Sequence, residues 1–108
     1  MPAGVLLALA ILSEVVATVF LRFTDGFTRL APSAVVVVGY ALSFWLLALI
    51  LKDLDIGFVY AVWSGVGTAL IAAIGIFAFG ESATALKLAS VALIIAGVVG
   101  LNAGGASA

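Results

Sequence analysis

The sequence contains no cysteine and no histidine, and its 108 residues include only four basic and five acidic side chains. Without cysteine there is no disulfide framework and no thiol nucleophile. Without histidine the usual zinc sites and imidazole acid–base chemistry fall away as well. A net charge of -1 provides no basic patch for nucleic acid and no polybasic anchor for anionic lipid. No glycine-rich phosphate loop is present, so ATP is not expected to drive anything here, and no cofactor and no metal is expected. No enzyme motif is present either.

What fills the chain instead is apolar. Hydrophobic residues make up 67% of it and charged residues 8%, a composition that a water-soluble domain has too little interior to hide. The length allows one domain, 1–108, and no second extramembrane module. The expected fold class is an all-α membrane protein with four transmembrane helices. Runs of about 20 apolar residues are long enough to span a bilayer, and four segments qualify, at about 4–21, 32–51, 58–79 and 85–101. The first lacks a basic leading region and is interrupted by an acidic residue, so it reads as a retained helix and not a secretory signal. Between the spans lie the polar turn from Arg22 to Arg29 with its Asp25-Gly26 signal, the segment Lys52 to Gly57, and the break Gly80-Glu81-Ser82. Pro32 suits the first turn of the second helix. The small polar tail from Asn102 onward is expected to be poorly ordered.

Arg22, Asp25, Arg29, Lys52, Asp53, Asp55, Glu81 and Lys87 all fall in connections or at span ends. Orientation is set by the Lys and Arg bias between the two faces of the membrane. With four spans, Lys52 shares one face with both termini, and Arg22, Arg29 and Lys87 lie on the other. So small a bias leaves insertion in both orientations open.

Glu14 alone breaks the apolar pattern. At a rise of about 1.5 Å per residue it lies roughly 15 Å into the first helix, close to the bilayer midplane. An acidic side chain there costs about 2.5 to 3.5 kcal/mol on insertion scales. One reading is a protonated carboxyl, or one bonded to a hydroxyl of another helix to assist packing. The favoured reading is a functional site. Desolvation disfavours the charged carboxylate, whereas a bound proton or a cation restores neutrality. One group can hold either, and exchange of a cation against protons requires that.

Helical spacing puts Leu7, Ala10, Ile11, Ala17, Thr18 and Leu21 on the face of Glu14, where the small members leave room beside it. In the second span Tyr40, Ser43, Phe44 and Leu47 share a face, and in the third Tyr60, Trp63, Ser64 and Gly67 do so. Tyr60 is near enough to its helix start to mark the membrane interface instead. Trp63 is nearly two turns in and is expected to line a cavity, where its ring face attracts an organic cation. Gly65-Val66-Gly67 permits either a hinge or a close helix approach. In the fourth span Ala92, Ala96 and Gly100 form a row of small residues, with Ser90 and Gly97 on a neighbouring face, as at helix–helix contacts.

These residues together resemble the small multidrug resistance transporters of the drug/metabolite transporter superfamily. The likeness covers nearly the whole chain. It is strongest in SEVVATVFLRFTDGFTRLAPS, Ser13 to Ser33, and in YAVWSGVGT, Tyr60 to Thr68, joined by Tyr40 and by SFWLLA from Ser43 to Ala48. The resemblance implies an antiparallel homodimer of four-helix subunits that exports lipophilic organic cations across the bacterial inner membrane in exchange for protons. It places the shared proton- and substrate-binding carboxylate on Glu14, the substrate-stacking ring on Trp63 and a carboxylate-bonding hydroxyl on Tyr60. Tyr40, Thr18, Ala10, Leu7, Ser43 and Phe44 fall at pocket positions. The hinge falls on Gly65 and Gly67, and the dimer interface on the fourth span, at Ser90, Ala96 and Gly97.

Departures from the family pattern are also informative. Drug exporters often carry a tyrosine where this chain has Gly4, Ser90 replaces a glycine of the dimer motif, and Arg22 stands for a lysine. Guanidinium exporters typically place a tryptophan soon after the glutamate, whereas this chain reads Val15-Val16-Ala17-Thr18. The expectation is a drug exporter, the alternatives being a guanidinium exporter or a non-transporting tetraspan assembly protein. A rotor-type proteolipid would need only two spans and no aromatic pocket. The expected partners are organic cations, protons, membrane lipids and a second copy, with no nucleic acid.

Overall fold

Backbone amides and carbonyls find no water in hydrocarbon, so an apolar run of this length satisfies them within itself by coiling into a helix. The computed structural model describes residues 2–103 and contains four such helices: α1 Ala3–Leu21, α2 Leu30–Ile50, α3 Ile56–Phe79 and α4 Ala85–Ala103. Each is long and apolar enough to cross a membrane, and no strand occurs among the described residues. The second and third helices begin two residues earlier than the sequence pattern places them. Leu30 and Ala31 precede Pro32, which lies in the first turn, where its missing N–H has no intrahelical partner to lose. α4 runs on through Asn102 and Ala103, so the tail expected to be poorly ordered is helical at its start. The remainder of that tail, 104–108, lies outside the described residues.

The chain divides into two compact units, Met1–Asp53 and Leu54–Ala108, each built on one helical hairpin. In the first, α1 packs on α2 at a point where both helices present small residues. A side-chain carbon at Gly39 would lie 2.9 Å from Ala17 Cβ and 3.2 Å from the Ser13 carbonyl oxygen. Glycine there lets the two backbones approach, which gains dispersion contacts that a bulkier residue would hold apart. Leu7, Ala10, Ile11, Val15 and Ala17 of α1 are buried, as are Val36, Ser43, Leu46 and Ile50 of α2.

The α1–α2 turn is organised around Thr24, which is only 2% exposed. Its hydroxyl donates to the Leu21 carbonyl at 2.9 Å and accepts from the Phe27 amide at 3.2 Å, and its carbonyl accepts from the amides of Thr28 and Arg29. Asp25, Gly26 and Phe27 all have positive φ, at 49°, 68° and 68°. Glycine adopts that conformation freely. For the bulky Phe27 it is strained, and the Thr24 bonds on either side hold it there.

In the second unit α3 ends at Gly80, whose left-handed φ of 67° no side-chain-bearing residue adopts cheaply. The Glu81 amide donates to the Gly75 carbonyl at 3.0 Å, and the Glu81 carboxylate folds back over Gly75, where any side chain would collide with it. Lys87 Nζ lies 3.9 Å from that carboxylate. Thr84 caps α4 by accepting the Lys87 amide on its hydroxyl at 3.1 Å. α3 and α4 meet at Gly65, where an added side-chain carbon would strike Val98 and lie 3.2 Å from Ile94 Cγ2.

Candidate functional site

Glu14 is the twelfth residue of the 19-residue α1, which puts it about 16 Å along a helix that crosses a core roughly 30 Å thick. It is half-buried. One helical turn further on, Thr18 Oγ1 donates to Glu14 Oε1 at 3.0 Å. The same Thr18 oxygen lies 2.8 Å from the Tyr40 hydroxyl of α2. A hydroxyl has one proton to give and can accept in addition. With the Thr18 proton committed to Glu14, the Tyr40 hydroxyl donates to Thr18, and the three side chains form a directed chain that ends on the carboxylate.

Neighbouring side chains set the position of Tyr40. Its ring stacks on Phe44 one turn on, with centroids 6.3 Å apart and planes inclined by 16°. Its carbonyl accepts from the fully buried Ser43 hydroxyl at 2.9 Å. Ser43 therefore spends its donor on its own helix. Phe44 presents most of its remaining surface outward.

The other α1 positions named from the sequence divide by environment. Leu7 and Ala10 are buried, and Ala17 is buried in the contact with Gly39. Room beside the carboxylate is thus not supplied by Ala17. Gly4, near the start of the helix, has nothing within 4 Å of where a side chain would begin.

In the second unit Tyr60 is 74% exposed, Trp63 is half-buried and Ser64 is exposed, all on α3. Gly65 and Gly67 are buried. At Gly65 the need for glycine comes from the close approach of α4, so the packing reading of that pair has a direct physical basis here. No residue of α4 is buried, and Ser90, Ala96 and Gly97 are all exposed.

Sequence reading did not foresee the Gly39–Ala17 contact or the role of Thr24. A glycine inside an apolar span signals some close approach, but spacing within one helix says nothing about which residue it meets. Among the described residues no cluster of acidic side chains could hold a metal ion.

Comparison of the sequence with known proteins relates the chain to a family. The family model described as "Small Multidrug Resistance protein" matches residues 3–94. The chain is 45% identical to the quaternary ammonium compound-resistance protein QacE of Escherichia coli, over 94% of this chain and 93% of that protein. It is 46% identical to a guanidinium exporter of Escherichia coli strain K12, over 91% of this chain and 93% of that one. Identity to the uncharacterized membrane protein YvaE of Bacillus subtilis is 47%, over 91% of this chain and 82% of that protein.

Proposed function

Because the chain belongs to the small multidrug resistance family, we propose that it is a proton-coupled antiporter that exports hydrophobic and quaternary ammonium cations. It is a multi-pass protein of the bacterial inner membrane, and members of its family are transporters and not enzymes.

The observation that carries the reading is the chain Tyr40–Thr18–Glu14. A carboxylate near the midplane must be neutralised, and hydrogen bonding to the charged form offsets part of its desolvation. When Glu14 is ionised it accepts from Thr18 across their 3.0 Å contact. When it takes a proton it becomes a donor, and the two hydroxyls can turn so that the chain runs the other way. Both states are thus accommodated by rotation of two O–H bonds, without moving a helix. A lipophilic cation neutralises the carboxylate as a proton does, so loading one displaces the other, and the proton gradient drives export. Trp63 and Tyr60 supply aromatic faces for the cation, and Gly65 and Gly67 the hinge.

One copy provides one such carboxylate. The second comes from another copy inserted antiparallel, which the small charge bias between the two faces permits. An α4 with no buried residue, bearing Ser90, Ala96 and Gly97 on its surface, supports packing against the same helix of that copy. The upside-down partner supplies the inverted symmetry that many single-chain transporters carry internally.

A second reading is guanidinium export, which the 46% identity to a guanidinium exporter supports as much as the 45% identity to QacE supports the first. Exchange in vesicles separates them. A tetraphenylphosphonium-driven proton release that Glu14→Gln abolishes is the expected result. Guanidinium transport without tetraphenylphosphonium binding moves the assignment to the second reading, and retained coupling in Glu14→Gln overturns the mechanism.

A further inference from the structure

Gly39 sits where α2 presses on α1 with no give on either side. A methyl there would lie 2.9 Å from Ala17 Cβ, 3.2 Å from the Ser13 carbonyl oxygen and 3.5 Å from Ala17 Cα. Non-bonded carbons rest about 3.5 to 4.0 Å apart, so the methyl asks for roughly 0.6 to 1.1 Å more room. Neither obstacle can supply it by rotation. Ala17 Cβ is fixed to its backbone, and the Ser13 carbonyl belongs to the helix itself. At Gly65, by contrast, the obstacle is Val98 Cγ2, the tip of a side chain that can turn. A side chain at Gly39 therefore moves a helix.

Gly39 precedes Tyr40 in the chain and Ala17 precedes Thr18. The tight packing point and the Thr18–Tyr40 hydrogen bond thus lie at one level of the hairpin. That bond is 2.8 Å long, and O–H···O bonds extend to only about 3.0 Å. A widening of roughly 0.6 Å carries it past that length. Tyr40 is not free to swing after its partner, because its ring stacks on Phe44 with planes inclined by 16°. Thr18 is held from the other side by its 3.0 Å bond to Glu14 Oε1. Glu14 and Tyr40 are the only titratable side chains in α1 and α2, so no other such group of either helix stands in for the lost contact.

We infer that Gly39 is a positioning residue for the Glu14 carboxylate. It sets the helix spacing at which the Tyr40 hydroxyl reaches Thr18, and through Thr18 it completes the hydrogen-bonded chain that ends on Glu14. Its effect on cation binding rests on the exporter reading above, whereas its effect on the Tyr40 hydroxyl does not.

The test reads both. The chain has two tyrosines, so a Cζ-labelled tyrosine resonance of the full-length protein in detergent is assigned to Tyr40 by its loss in Tyr40→Phe. Gly39→Ala should move that resonance, and Gly39→Ala/Ala17→Gly should return it, even where the added glycine keeps the protein less stable through its helix propensity. Leu46→Ala, a truncation of a buried α2 residue that wedges nothing apart, should lower stability and leave the resonance in place. Tyr40→Phe should change tetraphenylphosphonium affinity by about fivefold in the wild type and by nothing further in Gly39→Ala, where the bond is already lost. If Gly39→Ala misfolds, Ala17→Gly/Gly39→Val is compared with Ala17→Gly/Gly39→Ala, since the two extra methyls restore the wedge. An unmoved resonance in the folded wedge variant overturns the assignment, as does an equal movement in Leu46→Ala or a full Tyr40→Phe effect on top of Gly39→Ala. A wild type that binds no cation would sink the exporter reading instead, and the resonance alone would then decide the role of Gly39.

Discussion

The Tyr40 hydroxyl lies 2.8 Å from Thr18 Oγ1, so the residue that bonds the membrane carboxylate is itself bonded from the neighbouring helix. One hydroxyl therefore links the carboxylate of α1 to the α1–α2 contact, and the couplings among the three side chains become measurable.

Thr18→Val leaves both Glu14 and Tyr40 without their partner, whereas Tyr40→Phe leaves the Thr18–Glu14 bond in place. A hydrogen bond to a charged group contributes about 1.5 to 3 kcal/mol and a neutral one about 1. Thr18→Val is therefore expected to change tetraphenylphosphonium affinity by roughly tenfold or more and Tyr40→Phe by less. The double variant should resemble Thr18→Val, because the second change removes nothing further. Calorimetric titration of the three proteins checks this, and additive effects would contradict the chain.

Acid pH should weaken cation binding by competition at Glu14, and the effect should vanish in Glu14→Gln. Titrating tetraphenylphosphonium affinity against pH in both proteins reads this directly. Equal pH dependence in the two would place the competing proton elsewhere.

Gly39→Ala adds a methyl 2.9 Å from Ala17 Cβ with a carbonyl oxygen behind it. Overpacking of this kind costs about 1 to 3 kcal/mol. Denaturant titration in detergent should show that loss, with partial recovery in Gly39→Ala/Ala17→Gly.

In the second unit, Gly65→Ala drives a methyl into Val98. A stability loss of about 1 to 3 kcal/mol is expected, relieved by Val98→Ala. Stability recovered in that double variant with transport still impaired would assign Gly65 a second role, as the proposed hinge.

Gly4 has open space around it, so Gly4→Tyr should fold without strain. An aromatic face added there is expected to tighten tetraphenylphosphonium binding by about 0.5 to 2 kcal/mol, up to roughly thirtyfold. An unchanged affinity would remove Gly4 from the pocket.

Much of this was legible before any coordinates. Composition required a membrane, the apolar runs required helices because hydrocarbon leaves the backbone no other partner, and every charge except Glu14 fell in a connection or at a helix end. The Thr18–Glu14 bond follows from a four-residue spacing on one helix, since such side chains are neighbours wherever the helix lies. Boundaries were less legible, because Leu30, Ile56 and Asn102 can join a helix or a turn at similar cost.

Contacts between helices were decided only by the tertiary structure. Tyr40 could be named as a pocket residue, but its bond to Thr18 depends on the register and rotation of α2 against α1. Gly39 meeting Ala17 and Gly65 meeting Val98 fix that geometry in each hairpin. In a membrane every apolar face is equally content against lipid, so hydrophobicity does not choose the facing sides. Close packing of small residues and a few hydrogen bonds do, and these are pairwise properties that a linear sequence does not display.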